Sequence, residues 1–363
     1  MKFTFIFFLL FYYAAVFGQT SLSPKIDVSG AEAYINIATE IESGVAPDLI
    51  NWSQLFTAPG YQFLVRNGGV DTTVLKSDML KVYHPGYVEN TSLQNKGSSY
   101  HYDYKKVLLE LARYIKRLKS IDVVDSVKNL LYPFLPQRLQ TPGLFPQLYY
   151  LYYGQPDATN IYGMVFNDLL LSYKIDGYKA GLVTSHEAIH AIVSIAFAQR
   201  LAKNVDQNSP EFNLLSFMEN ISEEGIADLI DKQILQQKNS PVYETVNELR
   251  KNDTLLSIRY IKSLDSLFTI SNTTDSLLNK YNNFSGFANQ FGKNGAHIPG
   301  RFMGLVIKEG GKLNAQIQSI EDPVAFFLNY NEAAKKLEKK KYPLFSDASI
   351  AYLEKLKNKM MKE

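Results

Sequence analysis

The sequence predicts a mainly α (α+β) fold: helices, with a small β-sheet or hairpin beside one deeply apolar helix. Three observations carry that expectation. Apolar residues recur at helical spacing over much of the chain, β-forming residues gather in two short runs ahead of its midpoint, and those runs precede a helix that is apolar on nearly every face.

The first 18 residues stand apart. Met1-Lys2 is followed by an almost wholly apolar run from Phe3 to Phe17 and then Gly18-Gln19, the pattern of a secretory signal peptide cleaved near Gly18. The run is too short and wrongly flanked for a membrane span. Residues 19–140 then read as a helical region, with apolar periodicity clearest in Ala31–Glu42 and Tyr104–Leu118. His84, beside Pro85, and His101 read there as turn or surface histidines. Four prolines from Pro133 to Pro146 exclude helix interior and central strand, so a linker is expected.

Residues 141–340 hold the chemistry. Gln147–Gly154 and Asn160–Asn167 are rich in tyrosine and β-branched residues and read as two strands separated by the turn Gln155–Thr159. A strand here could offer an edge to an extended peptide, or be ordinary core. Ala180–Ala198 is the apolar helix, and Asn208-Ser209-Pro210-Glu211 signals the start of another. Gln237–Asn294 is polar and reads as helix with long loops, a lid or a peripheral hairpin. His297 opens a further helix with Pro299 in its first turn. The basic tail, 341–363, reads as a helix whose lysines form a solvated face.

Within the apolar helix stands Ser185-His186-Glu187-Ala188-Ile189-His190. Residues four apart share a helix face, so His186 and His190 can direct ring nitrogens at one zinc ion. Glu187 then lies beside the metal, where its carboxylate can take a proton from water acidified by the ion. With five histidines in the chain, a chance match has an expectation of roughly one in a hundred or less. A buried carboxylate also needs a counter-charge, and a dication is the strongest available.

A zinc site for hydrolysis takes three protein ligands and keeps one position open. No Gly-x-x-His continuation follows His190, so a carboxylate is the expected third ligand. Asn220–Asp231 supplies it: Glu224 and Asp228 share a helix face, so Glu224 can ligate while Asp228 accepts the other N–H of a ligand histidine. Glu223 competes for the ligand position. Gly225 would let this helix approach the motif helix closely. For the developing oxyanion a histidine or tyrosine donor is needed; His297 or a tyrosine could supply it, and His297 could equally be a helix-capping residue. Arg301, one turn later, could bind a substrate carboxylate or pair with an acid.

His-Glu-x-x-His followed by Glu-x-x-x-Asp on a second helix resembles the gluzincin clan of zinc metallopeptidases. That resemblance implies His186, His190 and Glu224 as zinc ligands, Glu187 as general base and Asp228 as the residue orienting a ligand, in a helical zincin-like fold. The interval from His190 to Glu224 is longer than in the well-known members, so an extra loop is expected around Lys203–Pro210. Over roughly residues 148–338 the chain also resembles an uncharacterised bacterial family classed as zinc-dependent peptidases. Its marks are the motif helix, Glu224-Gly225-Ile226-Ala227-Asp228, and the late blocks Gly295–Gly304 and Asp322–Ala334.

Composition narrows the rest. A net charge of +2 with 46% hydrophobic residues permits a large core but gives no strong field for nucleic acid or membrane. The absence of cysteine excludes disulfides and thiolate ligands. The expectation is a secreted or periplasmic zinc metallopeptidase holding one zinc per chain and acting on a peptide or protein substrate, with no nucleic-acid partner. The alternative from another class is a secreted binding or scaffold protein with a structural or degenerate zinc site.

Overall fold

Strand-forming residues build one four-stranded sheet, and helix accounts for most of the rest of the computed structural model, which describes residues 26–87, 96–120, 122–250, 253–273 and 296–360. The described residues fall into two units. One takes those up to Asn129 together with Phe145–Ala191, the other Leu130–Leu144 and those from Ile192 onward. The signal-peptide segment, 1–18, lies outside the described residues, as do Gly295 of the late block and 251–252 and 274–294 of the polar stretch. Among the described residues, no helix is long and apolar enough to cross a membrane.

The sheet belongs to the first unit. Its strands β1 (Ile26–Asp27), β2 (Gln147–Leu151), β3 (Ala158–Ile161) and β4 (Met164–Asp168) lie in the order β1-β2-β4-β3, with β2 parallel to both β1 and β4 and β3 antiparallel to β4. The two expected strands are therefore three from the same stretch, because Asn160–Asn167 folds back on itself. Tyr162 and Gly163 both take positive φ, 51° and 76°, as a two-residue hairpin turn requires, and the Gly163 N–H donates to Asn160 Oδ1 at 3.1 Å. A tyrosine in the left-handed region carries no turn signal. β4, the strand nearest the motif helix in sequence, is internal and buried from Val165 to Asp168.

Around the sheet stand α1 (Ser29–Glu42), α2 (Leu49–Thr57), α3 (Pro59–Arg66), α4 (Thr72–Val82), α5 (Lys96–Lys105), α6 (Leu108–Ser120), α7 (Val123–Leu131) and α8 (Leu169–Asp176). Their core is aromatic. Tyr152 stacks on Tyr34 at 4.8 Å and on His101 at 4.2 Å. His101 is thus not a surface residue: it is buried on the inner face of α5, with Nδ1 2.6 Å from the Tyr34 hydroxyl. Burial pulls its pKa down to about 3, so the ring is neutral. The polar sequence of α5 concealed an inward face of Tyr100, His101 and Tyr104.

Asp168 fastens this unit. It ends β4, caps α8 through the Leu171 N–H (2.9 Å), and accepts from the Tyr104 hydroxyl (2.6 Å), the Tyr100 hydroxyl and the Tyr153 N–H (3.1 Å). Burial outweighs these donors and lifts its pKa to about 6.

In the second unit lie α10 (Pro210–Ile230), α11 (Lys232–Leu235), α12 (Tyr243–Arg250), α13 (Asp253–Thr273), α14 (His297–Glu309), α15 (Leu313–Gln318), α16 (Pro323–Lys336) and α17 (Asp347–Met360). α9 (Leu182–Asn204) begins in the first unit and ends in the second. The polar stretch contributes a core helix: α13 buries Tyr260, Ile261, Leu264 and Phe268, and its Ser257 hydroxyl donates to the Ile298 carbonyl at 2.9 Å. α17 buries Tyr352, Leu353 and Leu356 and turns Lys355 and Lys359 to solvent.

The native Asp168 carboxyl retains a proton that the unfolded chain releases near the ordinary value of 3.8. Its contribution to stability therefore falls as pH rises from about 4 to about 6. Carbon NMR of the Asp168 carboxyl should give a midpoint near 6; a midpoint at or below the ordinary aspartate value would contradict the burial argument.

Candidate metal centre

The motif helix is aimed by polar contacts made before the motif begins. Asp176, at the end of α8, accepts from the Tyr114 hydroxyl at 2.5 Å and from the Gly181 N–H at 2.9 Å. Gly181 takes φ +73°, and a Cβ there would come within 2.9 Å of Val127 Cγ2, so the chain can turn tightly into α9 only with glycine. Thr184 then ties the helix to the sheet: its hydroxyl donates to Asn167 Oδ1 of β4 at 2.9 Å and lies 3.0 Å from the Tyr150 hydroxyl of β2. Each such buried bond contributes about 0.5–1.5 kcal/mol net, and more is lost if one partner is removed.

Two residues later comes His186, 4% exposed, whose Nε2 lies 3.3 Å from His190 Nε2. Glu187 Oε1 is 4.0 Å from His186 Nε2, and Glu187 is less buried than His186. Two Zn–N bonds of about 2.0–2.1 Å meeting at the tetrahedral angle would set two nitrogens about 3.3 Å apart. The separation of the two imidazoles thus fits a zinc ion between them.

In the second unit, α10 starts at the expected place, with Pro210 in its first turn and the Ser209 hydroxyl accepting from the Phe212 N–H at 3.3 Å. The long interval between His190 and Glu224 is mostly helix. α9 continues to Asn204, α10 begins at Pro210, and only residues 205–209 connect them. Ser194, one turn after His190, donates to Glu223 Oε1 at 2.9 Å, so Glu223 joins α9 to α10. Glu224 lies elsewhere, with Oε2 2.9 Å from His297 Nδ1.

Asp228 Oδ1 is 3.4 Å from the same His297 nitrogen and 3.7 Å from Lys232 Nζ; Lys232 also pairs with Asp231. Burial would raise the Asp228 pKa, but His297 and Lys232 hold it below the ordinary value. Burial would lower that of His297, but Asp228 and Glu224 lift it to about 10. One ligand atom from each of Glu224, Asp228 and His297 lies within 4.8 Å of the others, a His/Glu/Asp group that could hold a metal. The carboxylates of Glu224, Asp228 and Asp231 gather around the Lys232 ammonium and the His297 ring. The donors of the group are oxygen and imidazole nitrogen, both ligand types that zinc accepts.

Glycine brings these side chains together. A Cβ on Gly225 would come within 2.7 Å of the Gly300 carbonyl oxygen, and one on Gly300 within 2.9 Å of Gly225 N. Gly304, one turn beyond Gly300, would meet the Gly225 carbonyl. Gly225 therefore serves the crossing of α10 with α14, not the approach to the motif helix expected from the sequence. Arg301 on α14 pairs with an acid, Nη1 lying 3.8 Å from Asp253, and its guanidinium also donates to Gln236. The part of Lys232 was missed in the sequence, although its position four residues after Asp228 is the spacing of a helical ion pair.

A family model described as "Putative zinc dependent peptidase (DUF5700)" matches residues 52–339 of the chain. No curated protein and no solved structure matches it.

Gly300→Ala should destabilise the protein by about 1–3 kcal/mol, the usual cost of overpacking, because backbone stands where the methyl group would go. Thermal unfolding should report it as a lowered midpoint, whereas an unchanged midpoint would mean that α10 and α14 can separate without cost.

Proposed function

The chain belongs to the family so described, and from that premise we propose that it is a zinc-dependent peptidase in which His186, His190 and Glu224 hold one zinc ion and Glu187 is the general base. The observation that carries this reading is the pair of imidazole nitrogens 3.3 Å apart on one helix with a carboxylate beside them. Glu224 is preferred to Glu223 as third ligand because Glu223 accepts from Ser194. When bound there, zinc supplies a Lewis acid that polarises a carbonyl and acidifies water.

The chain's own groups do the rest. Glu187 takes a proton from the water that attacks the peptide carbonyl, and returns it to the amine as the C–N bond breaks. His297, its Nδ1 beside Glu224 and Asp228, donates from its other nitrogen to the oxyanion that develops on the carbonyl. Asp228, buried and charged between His297 and Lys232, fixes the orientation of that ring. This role differs from the one the sequence suggested for Asp228, where the histidine it orients is a zinc ligand. A structural zinc site would need neither a base nor an oxyanion donor. The apolar run from Phe3 to Phe17 supports export of the chain to the periplasm or the medium.

Elemental mass spectrometry should find about one zinc per wild-type chain and little in His190→Ala or Glu224→Ala. Glu187→Gln should keep the metal and lose peptide hydrolysis by several orders of magnitude. Zinc retained in both ligand variants, or turnover retained in Glu187→Gln, would overturn the assignment.

A further inference from the structure

The first unit contains a cavity of about 160 Å³ beside the aromatic core. The buried Leu75, His101 and Tyr152 form its inner wall, with Tyr153 and the exposed Gly154 to one side. A cavity of about 150 Å³ is enough to admit benzene, so this one suits a single long or aromatic side chain. Its charges are of one sign. Asp71 and Asp78 line it, seven residues apart and so on one face of α4, while His101 is held neutral by burial. Asp71 is partly satisfied by capping α4, where it accepts from the N–H groups of Thr73 and Val74. Asp78 acts on the Tyr152 hydroxyl, whose pKa burial, Tyr83, Asp168 and then Asp78 push up. Two carboxylates in a cavity that aromatic rings also line favour a cation, through charge pairing and cation–π attraction.

Burial, Asp157 and then Glu187 push the Tyr153 hydroxyl up, so this wall residue stands in the field of Glu187 within the same unit.

We propose that this cavity binds the cationic side chain of a lysine or arginine in the peptide to be cleaved, with Asp78 as its charge partner. The inference rests on the peptidase reading for its substrate, but the cavity can be tested without turnover. Nα-acetyl-arginine amide and Nα-acetyl-norleucine amide would be titrated into the full Glu187→Gln chain and followed by NMR. The arginine compound should bind at least about tenfold more tightly. Adding Asp78→Asn should erase that difference, and Asp78→Glu should preserve it. Equal binding of the two compounds, or a preference unchanged in Asp78→Asn, would overturn the proposal. A peptide library given to the zinc-loaded wild type separates the two readings. Arginine selectivity that depends on Asp78 with no cleavage would sustain the cavity and remove the peptidase, whereas cleavage with equal binding would do the reverse.

Discussion

The crossing of α10 and α14 on Gly225, Gly300 and Gly304 is the constraint on which the cluster of Glu224, Asp228 and His297 depends. Backbone meets backbone there, with no space for a Cβ on any of the three residues. His297 lies three residues before Gly300, and Glu224 and Asp228 flank Gly225. Closing the two helices to backbone contact is therefore what sets the imidazole within 2.9 Å of one carboxylate and 3.4 Å of the other. A larger residue at the crossing would separate the helices and break the cluster before touching any of its members. Phe326 of α16 closes the same position from another side, since a Cβ on Gly225 would also meet its ring.

Electrostatics gives the cluster its direction. Asp228 is fully buried yet held ionised by two cationic neighbours, and burying a carboxylate without them would cost several kcal/mol. The result is a buried, ion-paired carboxylate at the junction of α10 and α14. In the first unit the same logic works through hydroxyl groups. Asp168 and Asp176 are satisfied by tyrosines and backbone N–H groups, and both have pKa values above the ordinary range because burial outweighs those bonds. Those two aspartates tie the sheet and helices of the first unit together, while the carboxylates around His297 belong to a group that could hold a metal.

Much of this was legible in the sequence. The spacing of His186 and His190 is itself the period of the helix that carries them, and the Ser209-Pro210 start signal placed α10 to the residue. The sheet was read as small, but its strand count was not legible, because a turn through Tyr162 uses a residue that seldom takes positive φ. β1, two residues long, is too short to leave a pattern. His101 read as a surface residue because α5 is polar in composition, and only the tertiary fold reveals that Tyr34 and Tyr152 enclose it. Gly225 was recognised as a close-approach residue, but a single glycine does not disclose which helix comes close. The matching pair, Gly300 and Gly304, supplies that answer through their one-turn spacing.

X-ray absorption at the zinc edge of the reconstituted full chain tests the central claim most directly. We expect a four-coordinate ion with two imidazole nitrogens near 2.0–2.1 Å and the remaining ligands oxygen, and the loss of one imidazole shell in His186→Ala. A spectrum with no imidazole scattering, or one unchanged in His186→Ala, would contradict a zinc site built on the motif helix.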